Sequence, residues 1–383
     1  MNRCNSHLSL LPVKPGLFFF FFLAVGTLLC FYAMSCGAGL TTDSHHYLAA
    51  ARSLLQNGTL HNADGTVYTN WPPLYPVVLA MVRANVQLIA WMQNAFYTGM
   101  LLLVYWFSLE FRNATVRLLF LLSMVFGLPV LLVFTFVWSD GIFIFLTLVV
   151  YACLRVYQRN RQILYYIALI FFSNLMCLQR LAGIFFVFII GFLILRLPNH
   201  RQKCLLYVLL SVSLLLLWLY RNTFFEADPS YNANLLATPI IQSISNYLDA
   251  LGNWFVPHYF PYLIKVIIVC LWLLSLAWFY WHYRFLPDSL AFQTTFLAVG
   301  YLVALPFTNG NLSDIDRYIA PAYVWATMST FVQLDTWLPT LSVSRRRLVV
   351  ILIALWLVYP VARTVRNVTF WHRVRCTSVA NYQ

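Results

Sequence analysis

Two carboxylates and two arginines stand where this apolar chain meets what must be the edge of a lipid phase. The stretch Thr42–Gly58, TDSHHYLAAARSLLQNG, brings Asp43 and the pair His45 and His46 directly after an apolar run from Leu17 to about Cys36. Asp140 lies in FVWSDGIFIFL (Phe136–Leu146), Arg180 in LQRLAGIFF (Leu178–Phe186) and Arg317 in DIDRYIAPAY (Asp314–Tyr323). Carboxylates accept protons and hold cations, whereas a guanidinium only donates and so holds anions. A charge beside hydrocarbon costs on the order of 3 kcal/mol, so Arg180, apolar on both sides, needs a partner or a task. A salt bridge to Asp140 is one answer and snorkelling to the interface is another. Arg317 is read in the same way, with Asp314 or Asp316 as its partner. Adjacent residues on a helix point roughly 100° apart, so His45 and His46 are poorly placed to share an ion, even with His61 in the same loop.

The elements that must carry these residues are membrane helices. Of the 383 residues, 62% are hydrophobic and only 9% are charged. Each crossing needs about 20 apolar residues to span about 30 Å of hydrocarbon. The apolar runs are long and unbroken rather than alternating, which excludes a β-barrel. The fold class expected is an all-α polytopic membrane protein with about eleven transmembrane helices. They are placed at about 17–36, 86–109, 117–136, 140–156, 163–179, 181–197, 204–220, 262–283, 290–306, 317–336 and 348–362.

Charge tests that layout. A formal charge of +13 would suit nucleic acid in a soluble protein, but here it reads as topology and no nucleic acid is expected. With the chain starting in the cytoplasm, fourteen of the 24 basic residues fall in inside loops, among them Arg3, Lys14, Arg112, Arg155 and Arg345–Arg347. Eight of the eleven acids fall outside: Asp43, Asp64, Asp140, Glu226, Asp228, Asp249, Asp314 and Asp316. The exception is the C-terminus, where Arg363, Arg366, Arg373 and Arg375 lie outside. Either a crossing is miscounted or that tail has work there. The eight Cys residues form no CxxC pair and read as small buried apolar side chains, not as a metal site or a disulfide framework. The chain reads as one domain over 1–383, with outside loops at 37–85 and 221–262, and any chemistry must be built from these loops and the outer helix ends.

In the first loop, Tyr47, Leu48, Ala51, Leu54 and Leu55 recur at helical spacing and predict a short interfacial amphipathic helix. Gly58 stops it and Asp43 stands where an N-cap belongs. The segment TNWPPLYPVVLA (Thr69–Ala80) follows; its prolines force an extended or turn geometry, with Trp71 and Tyr75 suited to the headgroup level.

An Asp after the first membrane helix, then xxYLxxAxxLxxxG, then a W-P-P-L-Y-P turn, resembles the GT-C class of integral-membrane glycosyltransferases. The likeness is narrower to the bacterial members related to protein O-mannosyltransferases and lipid A aminoarabinose transferases. The matching residues are Asp43, Tyr47, Leu48, Ala51, Leu54, Gly58 and Pro72–Pro76. Further matches follow in the family's order: Asp140 at the start of a helix, the R-x-x-G of Arg180 and Gly183, the W-x-x-R-N of Trp218, Arg221 and Asn222, and the R-Y-x-x-P of Arg317, Tyr318 and Pro321. One departure is that Ser44 stands where many relatives carry a second acid, which counts against a two-acid metal site; no cofactor is expected and a divalent metal is not favoured.

The resemblance implies transfer of a sugar from a polyprenyl-phosphate donor to a lipid, glycan or protein acceptor, with inversion at the anomeric carbon. It implies Asp43 as general base, Arg180, Arg317 and Arg221 on the donor phosphate, and His46, Tyr47, Trp71, Tyr75 and Asp140 lining the pocket. The expected location is a bacterial inner membrane, with the site on the extracytoplasmic side and lipids as neighbours. A transporter or flippase of lipid-linked sugars, or a polysaccharide polymerase or ligase, is the alternative.

Overall fold

Polar residues at the ends of apolar runs start and stop the helices, and the computed structural model describes them over residues 15–69, 71–197, 200–225, 239–307 and 315–380. The helices are α1 (Pro15–Ala33), α2 (Thr42–Asn57), α3 (Leu74–Met81), α4 (Val86–Ser108), α5 (Ala114–Val125), α6 (Leu128–Thr135), α7 (Asp140–Asn160), α8 (Ile163–Gln179), α9 (Gly183–Leu195), α10 (Arg201–Phe225), α11 (Ile240–Gly252), α12 (Tyr262–Tyr283), α13 (Leu290–Ala304), α14 (Ile315–Trp337) and α15 (Val343–Ala380). No strand forms among the described residues, only isolated bridges at Gly39–Phe136 and His61–Val67. The all-α fold is therefore as expected. Each apolar stretch named above carries a helix. Six segments are long and apolar enough to cross a membrane by length and composition, with α5 and α6 taken together as one.

Local chemistry accounts for the boundaries. Asn85 and Asn113 cap α4 and α5, each side-chain oxygen accepting two backbone N–H groups of the first turn. The run read as one crossing over 117–136 is broken into α5 and α6 at Phe126–Gly127, with Pro129 in the first turn of the second half. The outside loop 221–262 holds a helix that the reading missed, α11, in which Ile240, Ile241, Ile244, Leu248 and Leu251 recur at helical spacing. Glu226 and Asp228 in the same loop, together with Arg3, Lys14 and Asp314, lie outside the described residues.

Helix α14 runs through the middle of the bundle. It touches α5, α6, α7, α11 and α13, and most of its side chains are buried. Its two ends carry the charges. Arg317 and Asp335 are 18 residues apart, or about 27 Å along the axis. At the Asp335 end, that carboxylate accepts the backbone N–H groups of Arg112 and Asn113 at 2.9 and 2.8 Å. There Glu110 also meets Arg155 and Arg159, each at 2.7 Å, and Arg155 donates to the Asp288 carbonyl at 2.7 Å. Of the acids assigned inside, Glu110 is thus neutralised and Asp335 holds backbone N–H groups at the start of α5.

Two expectations about the C-terminus and the cysteines resolve together. Helix α15 continues past residue 362 without a stop, and two of the tail arginines have partners: Arg363 donates to the Asn253 carbonyl and Arg375 to that of Ala33. The tail therefore has structural work. Cys36 and Cys376 form a disulfide that ties this tail to the end of α1, which corrects the reading of the cysteines as merely apolar fillers. The pair escaped because 340 residues separate its members. Cys30, Cys153, Cys177, Cys204 and Cys270 are free thiols.

Replacing Arg155 by Met should leave Glu110 without its buried partner and the Asp288 carbonyl without a donor, at a cost of roughly 2–4 kcal/mol. A lowered thermal unfolding midpoint in detergent is expected, and an unchanged midpoint would contradict the assignment.

Candidate active site

Two backbone segments meet side by side at the Arg317 end of the bundle and each delivers a carboxylate. The Gly39 N–H donates to the Thr135 carbonyl at 2.9 Å and the Val137 N–H to the Gly39 carbonyl at 2.8 Å, a parallel bridge between Gly39 and Phe136. Four residues beyond Gly39 is Asp43, and four beyond Phe136 is Asp140. A Cβ at Gly39 would come within 2.5 Å of the Phe136 ring, so only glycine lets the two segments approach this closely. Side chains then lock the register: the Ser44 hydroxyl donates to the Val137 carbonyl at 3.0 Å, and the Trp138 indole N–H donates to Thr41 Oγ at 2.8 Å.

The start of α2 departs from the expectation. Thr41 is the N-cap residue, its N–H donating to Ser44 Oγ at 2.9 Å in a capping box, and Asp43 lies in the first turn. Thr41 and Ser44 satisfy the helix end, so the Asp43 carboxylate is turned elsewhere. Ser44, the departure from the family pattern, is fully buried and committed to this cap.

The other partner comes from α14. Arg317 Nη1 donates to Asp43 Oδ2 at 2.7 Å, while its Nη2 and Nε reach Asp140 Oδ2 at 3.2 and 3.3 Å. Its guanidinium lies over the Trp138 ring at 4.4 Å. Of the partners expected for Arg317, Asp314 is outside the described residues; the carboxylates it meets are Asp43 and Asp140 rather than Asp316. Arg180 forms the anticipated ion pair with Asp140 and lies over the Tyr318 ring at 5.4 Å. It stands in extended conformation where α8 ends, and the tight turn into α9 leaves no room for a Cβ at Gly183, which would come 2.9 Å from the Cys177 backbone. The R-x-x-G spacing thus puts a guanidinium at a helix corner.

Exposure separates the two acids. The Asp140 side chain is 1% exposed, held between two guanidinium groups, whereas that of Asp43 is 27% exposed. Asp140 is therefore the internal counter-ion, and Asp43 is the carboxylate a substrate can reach.

An aromatic wall adjoins the cluster. The Tyr47 ring meets Tyr75 edge-on at 4.9 Å and Trp71 at 5.4 Å, and His46 lies 5.4 Å from Trp71. Burial pushes the Tyr47 phenol up to about 12, against the pull of the nearby Arg180 charge, so it stays protonated near neutral pH. Burial likewise holds the Tyr75 phenol well above its ordinary value, and its oxygen accepts from Gln93 at 3.1 Å. Asp43, Asp140, Arg180, Arg317 and Tyr47 are thus brought together, with His46, Trp71 and Tyr75 beside them. Arg221 lies over the Trp218 ring at 4.8 Å and is bonded to Asn222, which in turn donates to the Thr69 carbonyl. Sequence reasoning missed Gly39, Thr41, Phe136 and Trp138, of which only the tryptophan beside Asp140 gave a signal.

Lower in the bundle, α12, α14 and the first half of α15 enclose a cavity of about 650 Å³, walled by Trp254, Trp272, Trp278, Tyr323, Phe331 and Trp356. Tyr323 lies about 120° around α14 from Arg317, so the cavity opens on another side of that helix. Among the described residues no group of three or more His, Cys, Asp or Glu side chains is placed to hold a metal ion.

No protein-family model matches the chain, and no curated protein matches it in sequence. Among solved structures it is similar to ArnT from Cupriavidus metallidurans bound to undecaprenyl phosphate, at 13% identity and a TM-score of 0.58 over 96% of this chain and 75% of that one. The apo state of the same protein gives 15% identity and a TM-score of 0.59 over 95% and 73%. The oligosaccharyltransferase AglB from Archaeoglobus fulgidus, in complex with an inhibitory peptide and a dolichol-phosphate, gives 13% and 0.54 over 90% and 55%. At these identities the likeness is one of fold, shared with ArnT and AglB over most of this chain.

Exchanging Asp140 for Asn should leave Arg180 without its carboxylate and Arg317 with Asp43 alone, at a cost of about 3–5 kcal/mol. The double variant Asp140→Asn/Arg180→Gln should recover part of that loss in thermal unfolding. Strictly additive effects would contradict the coupling.

Proposed function

We propose that this chain is a GT-C-type glycosyltransferase that moves a sugar from a polyprenyl-phosphate donor to an acceptor at the extracytoplasmic face of a membrane. The observation that carries the reading is the asymmetric cluster: one reachable carboxylate, Asp43, bound to an arginine whose other partner is a buried carboxylate. Its fold is that of ArnT, seen with undecaprenyl phosphate, and of AglB, seen with a dolichol-phosphate, which supports a lipid-phosphate donor. The Cys36–Cys376 disulfide supports the extracytoplasmic side, since disulfides persist in oxidising compartments and this one lies at the same end as Asp43. A transporter would carry its charged residues near the midplane, whereas these gather at a helix end.

In this reading the acceptor hydroxyl or amine attacks the anomeric carbon from the face opposite the phosphate. The new bond to that carbon forms as the bond to the phosphate oxygen breaks, and the electron pair leaves with the polyprenyl phosphate. Asp43 takes the acceptor proton. Arg180 and Arg317 stabilise the charge growing on the phosphate. Ser44 is committed to the helix cap and both acids are matched by arginines, so the proposal gives charge stabilisation to the guanidinium groups and not to a divalent cation. Arg221, at the end of α10, would take a peripheral part in holding the donor.

The test is transfer by the full chain in nanodiscs from a polyprenyl-phosphate-linked sugar. Asp43→Asn should slow it by at least about a hundredfold and cost about 1–2 kcal/mol in stability; full activity in that variant would remove Asp43 from the mechanism. Transfer should also persist in EDTA. Loss of activity that added Mg²⁺ or Mn²⁺ restores would overturn the assignment of charge stabilisation to the arginines.

A further inference from the structure

Arg375 stands behind the proposed site rather than in it. It is buried at the outer part of α15, directly before Cys376, and its guanidinium donates to the Ala33 carbonyl at 2.6 Å. The same group lies 4.7 Å over the Phe136 ring. Phe136 in turn stacks on Trp138, centroids 4.7 Å apart and 16° between planes, and Trp138 carries Arg317 on its ring at 4.4 Å. Four planar groups therefore follow one another from the C-terminal helix to the cation that binds both carboxylates. Arg375 also closes the space beside Gly39, where a Cβ would come 2.6 Å from its Nη2. It thus touches both members of the Gly39–Phe136 bridge from which the two acid-bearing segments start.

Three contacts fix Arg375 in that position. The Cys36–Cys376 disulfide bonds the next residue to the chain just past α1. His372 stacks on Tyr32 at 4.2 Å and bonds to Ser35 Oγ at 2.8 Å. Trp371 meets Phe136 edge-on at 6.1 Å. Nothing in this arrangement reaches a reacting atom, but a displacement of the bridge moves Asp43, Asp140 and the Trp138 platform together. Geometric errors of about 1 Å at a reacting centre cost on the order of a hundredfold in rate, so a remote wedge can matter as much as a direct contact.

We propose that Arg375 is a positioning residue for the glycosyl transfer proposed above, setting the Asp43–Arg317–Asp140 geometry through the Phe136–Trp138 stack, and that the Cys36–Cys376 disulfide holds it in register. The inference rests on the transferase reading only for its kinetic consequence. Lysine keeps the charge but lacks the flat fork that both donates to Ala33 and stacks on Phe136, so Arg375→Lys should rescue only in part.

The experiment compares the full chain in nanodiscs with Arg375→Met, Arg375→Lys and the wild type after reduction and alkylation of the disulfide. Hydrogen–deuterium exchange at Gly39 and Val137 should quicken in Arg375→Met and after reduction, while the amides in the middle of α7 stay protected. In the transfer assay kcat should fall by about tenfold or more in Arg375→Met, with the donor KM changed by less than about threefold, and Arg375→Lys should lie between. Unchanged exchange at the bridge overturns the positioning role whatever the activity. Quickened exchange with an unchanged kcat overturns its catalytic consequence. If Arg375→Met does not fold, the lysine variant and the reduced protein decide by the same two readouts. A wild type that transfers no sugar defeats the transferase reading, and the exchange data still decide whether Arg375 sets the bridge.

Discussion

One guanidinium holding two carboxylates is the interaction on which the site depends. Arg317 is buried in the central helix, and a buried charge is tolerated only when paired and hydrogen-bonded. Its pairing draws the start of α2 and the start of α7 onto α14, and Asp140 draws in the corner between α8 and α9 through Arg180. Two acids and two arginines leave the cluster formally neutral, which is how so many ionised groups coexist at the edge of an apolar bundle. The charged groups at the far end of α14 solve the same problem with Glu110, Arg155, Arg159 and Asp335. Charge is thus confined to the two ends of the bundle and the apolar length lies between them.

The functional consequence follows from asymmetry. If both acids were equally buried the cluster would be a structural rivet. Because Asp43 remains partly accessible and Asp140 does not, one carboxylate can meet a substrate while the other maintains the arginines in their charged, oriented state. The backbone bridge at Gly39 and Phe136 sets this asymmetry. It starts both segments from one register and lets Ser44 and Thr41 take over the capping that Asp43 would otherwise perform.

Much of this was legible in the residues. Hydrocarbon thickness forces apolar runs of a set length, so the helices could be read from hydropathy. Gly58 at the end of α2 and the Asp140–Arg180 pair followed from elementary capping and desolvation arguments. What could not be read were contacts between distant parts of the chain. The bonds from Arg317 to Asp140 and Asp43 span 177 and 274 residues, and the disulfide spans 340. Local reasoning offered Asp314 or Asp316, both close in sequence, and treated the cysteines as isolated because nothing short-range links them. The assignment of Asp43 as a cap failed for a different reason: two hydroxyl residues nearby serve that purpose, which frees the carboxylate. Helix α11, by contrast, had a readable periodicity inside a segment set aside as loop.

The central claim is that the cluster makes a glycosidic bond. Mass spectrometry of the lipid and glycan products, from liposomes holding the purified chain, a polyprenyl-phosphate-linked sugar and candidate acceptors, tests it most directly. The account predicts a new glycosylated product together with the released polyprenyl phosphate in equal amounts, both absent from liposomes lacking the protein. Donor that crosses the bilayer unchanged, with no product of increased mass, would contradict it.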